Sequence, residues 1–197
     1  MAGAPRDAIV QYPGGLRVRY RWGGSGSADA VFALSESGGS LVDLGDVVSD
    51  EPDRLCRAEL RADTPAGAWT VRLASQIFDD PSAVLWDDAG LLVVEYGFVT
   101  YALGARDGAM RWSHRSRTPI VAILGSPRLP HVIVQAEIET FAIDAQGEVA
   151  WRLGHSDVVS AAELVGGRLV LTSYDGQVTA LDPTTGRSAA GLGTHGG

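Results

Sequence analysis

Three arginines spaced by two, Arg17, Arg19 and Arg21 in "LRVRYRW", have a type and spacing suited to binding chemistry. On an extended strand alternate side chains share a face, so the guanidinium groups line one side while Leu16, Val18, Tyr20 and Trp22 line the other. Such a comb suits an acidic protein segment or a phosphate-bearing ligand, because guanidinium groups hold carboxylates and phosphates bidentately. The plainer reading is a half-exposed edge strand whose arginines are solvated or paired with the chain's many acids. A second cationic cluster, Arg111, Arg115 and Arg117, surrounds Trp112 and His114. It joins the same surface if the sheets of the fold close into a ring.

The other reactive residue types read as structural. His114, His131, His155 and His195 form no HxxxH or HxH pair and have no cysteine companions, so no metal site is expected. "HSD" at His155 to Asp157 contains triad residue types, yet a triad converges in space and neighbours on one strand or turn do not. The acidic pairs Asp79-Asp80 and Asp87-Asp88 read as solvated turns, and "SDEPD" from Ser49 as a surface loop. The single Cys56 excludes an internal disulfide and a multi-cysteine zinc site. Arg54 and Arg57 nearby could lower its thiol pKa, but no base is evident. "GGSGS" lacks the following helix that phosphate binding would use. No catalytic residue and no cofactor are expected.

The elements that carry these residues are set by a repeat. Segments beginning at Leu92, Val132 and Val170, "LVVEYGFVTYAL", "VIVQAEIETFAI" and "VLTSYDGQVTAL", align without gaps. Each ends on a small residue followed by Leu or Ile, at Ala102, Ala142 and Ala180. Gly108, Gly147 and Gly186 follow at intervals of 39, and Trp112 and Trp151 sit four residues after the first two glycines. Ala190 stands where the third copy would have its Trp. Each copy reads as four short strands, in the middle one "IVAIL", "HVIVQ", "IETFAI" and "EVAWRL", with a turn at Asp144 to Gly147. Phe98, Thr100 and Ala102 fall on one face and Val99, Tyr101 and Leu103 on the other, so the sheet is apolar on both sides and needs layers against both. Ala permits close approach, Trp supplies a large apolar contact, and Gly supplies a positive φ.

"ALDPTTGR" at Ala180 and "YALGARDGAMRW" at Tyr101 resemble the repeat of PQQ-like β-propellers, in which Ala, Leu, Asp and a turn lead to Gly and a Trp four residues on. The last copy also resembles a WD40 blade. "LGHSDVV" with His155 matches the Gly-His opening, and "SYDG" with Ser173 and Asp175 matches the Ser-x-Asp-Gly turn. Asp182 matches the terminal Asp, while Leu181 replaces the Trp. The resemblance implies an all-β, propeller-like array of four-stranded antiparallel blades, four or five in number, or an incomplete propeller. It also raises a quinone-dependent enzyme fragment or a small-ligand propeller with Trp86 lining a cavity as the competing function.

An earlier unit is read at "FALSESGG", with Ala33 and Gly39, preceded by strands "AIVQY" and "LRVRYRW"; Asp46 to Ala74 is short for a full unit. Residues 1–74 then hold degenerate N-terminal blade material, 75–193 three clear repeats and 194–197 a flexible tail, in one structural domain. Composition bounds the function. A chain of 197 residues with 45% hydrophobic and 20% charged residues is globular, and a formal charge of -8 with no Lys argues against nucleic acid and anionic membranes. The start lacks the apolar run of an export signal, and no stretch approaches the roughly 20 apolar residues of a membrane span. The expectation is a cytoplasmic, noncatalytic interaction or scaffold module that binds another protein, and a homodimer if the propeller is incomplete.

Overall fold

The computed structural model describes residues 4–32, 40–43 (as backbone), 47 and 49–189. Ala33, Gly39, Ala190, His195 and the tail fall outside the described residues. The chain divides into two compact units, Met1–Arg117 and Thr118–Gly197. Among the described residues the architecture is all-β, with one short helix α1 (Ala28–Val31) and no helix long and apolar enough to cross a membrane.

The first unit holds two sheets. Strands β1 (Arg6–Gln11), β2 (Arg17–Gly23), β3 (Ser40–Asp43), β4 (Cys56–Thr64) and β5 (Gly67–Ser75) form the first, in the order β1-β2-β4-β5-β3. Four of them make an antiparallel meander, and β3 is added at the edge parallel to β5. The second sheet is a plain meander of β6 (Ser82–Trp86), β7 (Leu91–Tyr96), β8 (Val99–Gly104) and β9 (Met110–Arg115). Between them lies a core of Val18, Tyr20, Leu60 and Val71 from the first sheet and Leu92, Val94, Tyr101 and Leu103 from the second. Alternate residues of β2, β4, β5, β7 and β8 enter it, as strand geometry requires.

The second unit repeats the plan. Strands β10 (Ile120–Leu124), β11 (His131–Ala136), β12 (Glu139–Asp144) and β13 (Val149–Gly154) form the third sheet, and β14 (Val159–Val165), β15 (Arg168–Ser173) and β16 (Val178–Leu181) the fourth. Ile133 and Ala142 of the third sheet meet Val159, Leu169, Leu171 and Leu181 of the fourth. The four-stranded expectation thus holds for the second and third sheets and changes for the others. The first sheet has five strands, and the fourth has three among the described residues, followed by an isolated bridge between Leu181 and Ser188.

The recurring residues do the packing the repeat requires. Ala102 lies directly across from Trp112, and Ala142 from Trp151, each beside a bulge. Gly108, Gly147 and Gly186 all have positive φ, at 68°, 90° and 69°. A Cβ at Gly186 would stand 2.5 Å from the Trp151 ring, and the Trp151 indole donates to the Pro183 carbonyl at 3.2 Å. His131 Nε2 donates to the same carbonyl at 2.8 Å, which fixes the proton on that nitrogen because a carbonyl only accepts. The first unit contains the same arrangement: a Cβ at Gly108 would stand 2.6 Å from Trp69, whose indole donates to Ala105 O at 3.2 Å, and Trp69 faces Ala62 across the strands.

These registers place two features that the ungapped repeat leaves out. The third and fourth strands of the first meander are β4 and β5, with Ala62 and Trp69 in the Ala and Trp positions, while "FALSESGG" after Phe32 lies outside the described residues. The stretch 24–55, with α1 and β3, is an insertion between the second and third meander strands. The last copy also carries one extra hairpin residue. Leu92 pairs with Leu103 and Val132 with Ile143, each eleven residues on, whereas Leu169 pairs with Leu181, twelve on. Thr172, not Ser173, therefore holds the position of Glu95 and Gln135, since a one-residue shift turns every side chain to the opposite face.

Candidate interaction surface

β2 is an inner strand, between β1 and β4, and not the edge strand of the plainer sequence reading. Its arginines stand on the face turned away from the core, while Val18, Tyr20 and Trp22 are buried on the other. Cross-strand neighbours decide the fate of each. Arg21 sits between Asp7 and Glu59; it lies 3.6 Å from the Asp7 carboxylate, and its Nε donates to Ala30 O at 2.8 Å, holding the end of α1. Arg19 sits between Ile9 and Arg61, and Arg17 between Gln11 and Asp63. Asp63 is taken by Arg61 at 3.6 Å, and the buried Glu59 by Arg72 at 3.2 Å, whose guanidinium also stacks on Phe32. Among the described residues Arg17 and Arg19 are thus exposed with no ion-pair partner. They stand about 7 Å apart by strand geometry.

The second cationic cluster does not extend this surface. Arg111 is paired with Asp107 at 2.9 Å. Arg115 donates to Gln76 at 3.0 Å and lies over the Phe98 ring. Its partner across the sheet is Val99, a residue of the core face shared with the first sheet, so it points to the side of that sheet opposite to Arg17 and Arg19. Arg117 is exposed at the end of the unit.

A polar row crosses the second sheet, where Ser82, Glu95, Thr100 and His114 are successive cross-strand partners. Glu95 is 5% exposed. Ser82 Oγ donates to its Oε1 at 2.7 Å, while Oε2 and Thr100 Oγ1 have no hydrogen-bond partner among the described residues. Burial pushes the carboxyl up to about 8. In the third sheet Gln135 and Thr140 occupy the same positions, and there the row is satisfied. The Gln135 amide donates to Ala136 O and Glu139 O, and the Thr140 hydroxyl donates to Gln135 Oε1. That hydroxyl has one hydrogen, so His155 Nε2, 2.6 Å away, is the donor to it. Burial holds the His155 pKa below its ordinary value.

His155 therefore closes a network within the third sheet, apart from Ser173 and Asp175. Ser173 donates to Asp175, which also accepts Gln177 N at 3.1 Å, an arrangement local to one hairpin. Asp182 caps its own turn by accepting Thr184 N at 2.7 Å, and Ala180 faces outward on β16. The solvated-turn reading is incomplete for Asp79, which is half-buried, and for Asp80, which is exposed but paired. Asp79 accepts the Gly97 backbone at 3.0 Å, and Asp80 accepts the Trp22 indole at 2.7 Å and Arg6 at 2.9 Å. Cys56 is buried, and burial pushes its thiol pKa up despite the nearby arginines. Among the described residues no group of three His, Cys, Asp or Glu side chains could hold a metal ion. Trp86 is half-buried on the edge strand β6.

Residues 99–189 match the PQQ-type family model described as outer membrane protein assembly factor BamB. No curated protein matches the sequence. Among solved structures, BamB from Moraxella catarrhalis is similar at a TM-score of 0.54 and 17% identity, covering 96% of this chain and 67% of that one. The computationally designed Ika8 protein is similar at 0.54 and 10% identity, covering 92% and 59%. The Neurospora crassa Pan2 WD40 domain is similar at 0.48 and 18% identity, covering 81% and 51%. The chain is thus shorter than each of these, spanning about half to two thirds of their lengths.

Proposed function

We propose that this chain, whose residues 99–189 match a PQQ-type repeat model and whose sheets resemble β-propeller blades, is a noncatalytic protein-interaction module. The observation that carries the reading is the division of labour in the first sheet. Its inner face and the repeated Ala, Gly and Trp positions are consumed by packing, whereas its outer face leaves Arg17 and Arg19 exposed and unmatched. A rigid sheet that holds two uncompensated guanidinium groups in fixed register is suited to an acidic segment of another protein. The matched family's description as an assembly factor supports a role exercised through other proteins.

The test is the double variant Arg17→Glu with Arg19→Glu. Substitutions at exposed positions change stability by about 0.5 kcal/mol or less, so the thermal unfolding midpoint stays put. Recovery of the co-purifying partner, by contrast, falls about tenfold or more, because each reversal sets a like charge against an acidic surface. Recovery equal to that of the unaltered chain would assign partner binding elsewhere and remove the comb from the account.

A further inference from the structure

The unit Thr118–Gly197 has a surface of its own at one set of loop ends. Three loops lie side by side there, each bonded to the next through backbone. His155 N donates to Ile138 O at 2.8 Å, Val159 N to Glu137 O at 2.7 Å, and Tyr174 N to Val158 O at 2.7 Å. Each loop presents one exposed apolar side chain, Ile138, Val158 and Tyr174, and Tyr174 is 84% exposed. Each of the three adjoins a carboxylate in sequence: Glu137 before Ile138, Asp157 before Val158 and Asp175 after Tyr174. Scattered exposed apolar residues are ordinary. Three on adjoining loops, each beside an acid, form a patterned patch.

Tyr174 owes its position to the extra hairpin residue. In the ungapped repeat it stands in the place of Tyr96, which is fully buried, but the added residue moves Ser173 into the strand and leaves Tyr174, Asp175 and Gly176 as the loop. The loop is fixed, with Asp175 accepting from the Ser173 hydroxyl and from Gln177 N. Asp157 caps its own loop by accepting Val158 N at 2.8 Å. Among the described residues no ion pair engages Glu137, Asp157 or Asp175, and no arginine lies in the three loops. Beside them opens a polar cleft lined by His155, Asp157, Ser173, Gln177 and Thr179.

We propose that this rim docks a protein segment that is both basic and apolar, with Tyr174 as the anchor and Glu137 and Asp157 as the charge partners. The charge pattern selects the occupant: an acidic segment would be repelled, and a purely apolar one would leave the carboxylates desolvated without compensation. Backbone bonding between the loops means little ordering is needed on binding, and an amphipathic aromatic on a fixed loop is the residue type that dominates interface energetics. The inference rests on the interaction reading above and extends it, since Arg17 and Arg19 offer the opposite charge. The chain would then hold an acidic and a basic partner segment at separate sites.

The probe is a library of random dodecapeptides displayed on phage and selected on the immobilised full chain. Selection is expected to enrich peptides that place Arg or Lys beside Leu, Phe or Trp. A synthetic peptide of the enriched sequence, titrated calorimetrically, should lose about tenfold or more in affinity to Tyr174→Ala. It should show a weaker salt dependence with Glu137→Gln and Asp157→Asn, and be unaffected by Arg17→Glu with Arg19→Glu. That last variant separates this proposal from the comb. Absence of an enriched motif, an acidic motif, or a basic peptide that binds Tyr174→Ala as tightly as the unaltered chain would overturn the rim assignment and leave the comb standing.

Discussion

Replacing Trp69 with Ala should destabilise the chain by about 3–5 kcal/mol, the range for truncating a large buried aromatic side chain. Trp69 is 1% exposed, sits in the core between the first and second sheets, and lies under the turn at Gly108 so closely that a Cβ there would overlap its ring. Its indole also donates to Ala105 O, so truncation leaves that carbonyl without this donor as well as opening a cavity. The turn and the ring hold one another, because the ring fits only against a residue without a side chain. Urea unfolding followed by far-ultraviolet circular dichroism measures the loss. A change below about 1 kcal/mol would mean that the site collapses around the vacancy, and that the Trp-under-Gly contact is not what joins consecutive sheets.

The second large effect depends on pH. Glu95 has its carboxyl raised from the ordinary value of 4.5 to about 8 by burial, opposed in part by the Ser82 hydrogen bond. In the folded chain it therefore stays protonated over a range in which the unfolded chain has released its proton. Its contribution to stability is fully present below about pH 4.5 and is lost progressively as pH rises to about 8, with no further loss above that. Glu95→Gln removes the ionisation while keeping the shape and a hydrogen-bond donor, and Gln135 shows that an amide is accepted at the same place in the third sheet. The variant should match the unaltered chain near pH 4.5 and exceed its stability by a few kcal/mol, on the order of the linkage limit, at pH 8 and above. Unfolding midpoints measured from pH 4.5 to 9 test this. Parallel curves for the two proteins would show that Glu95 ionises freely in the fold.

These two residues also mark how far the sequence could be read. The middle copy was legible nearly strand for strand, because "IVAIL", "HVIVQ", "IETFAI" and "EVAWRL" are short apolar-rich runs separated by turn residues, and they fall on β10 to β13. Ala102, Gly108 and Trp112 were legible for the same reason, as one spacing recurs with their types. Trp69 was hidden because the hairpin joining β4 and β5 is shorter, so Ala62 and Trp69 are seven residues apart where Ala102 and Trp112 are ten. The signal was present in "GAW", a glycine shortly before a tryptophan as in "GAMRW". The displacement of Tyr174 was hidden by a single extra residue that an ungapped alignment absorbs without trace.

The candidate surface was legible only in part, because charge spacing along one strand says nothing about the strands beside it. "LRVRYRW" correctly put three arginines on one face, but it could not show that Asp7 and Ala30 hold Arg21 while Arg17 and Arg19 remain unmatched. Likewise "FDDPS" reads as a solvated turn until the fold brings Gly97, Trp22 and Arg6 against its two carboxylates. Glu95 gives no sign of its burial in "LVVEYGF", since a carboxylate between apolar residues is usually the solvated member of an alternating strand.

The most direct test of the interaction account is native mass spectrometry of the tagged chain, purified gently from its own host. The account predicts that the chain is recovered with a second protein at defined stoichiometry and with no bound small molecule. A stoichiometric small-molecule mass on the chain, with no protein partner, would contradict it and give first place to a ligand-binding or cofactor-dependent propeller.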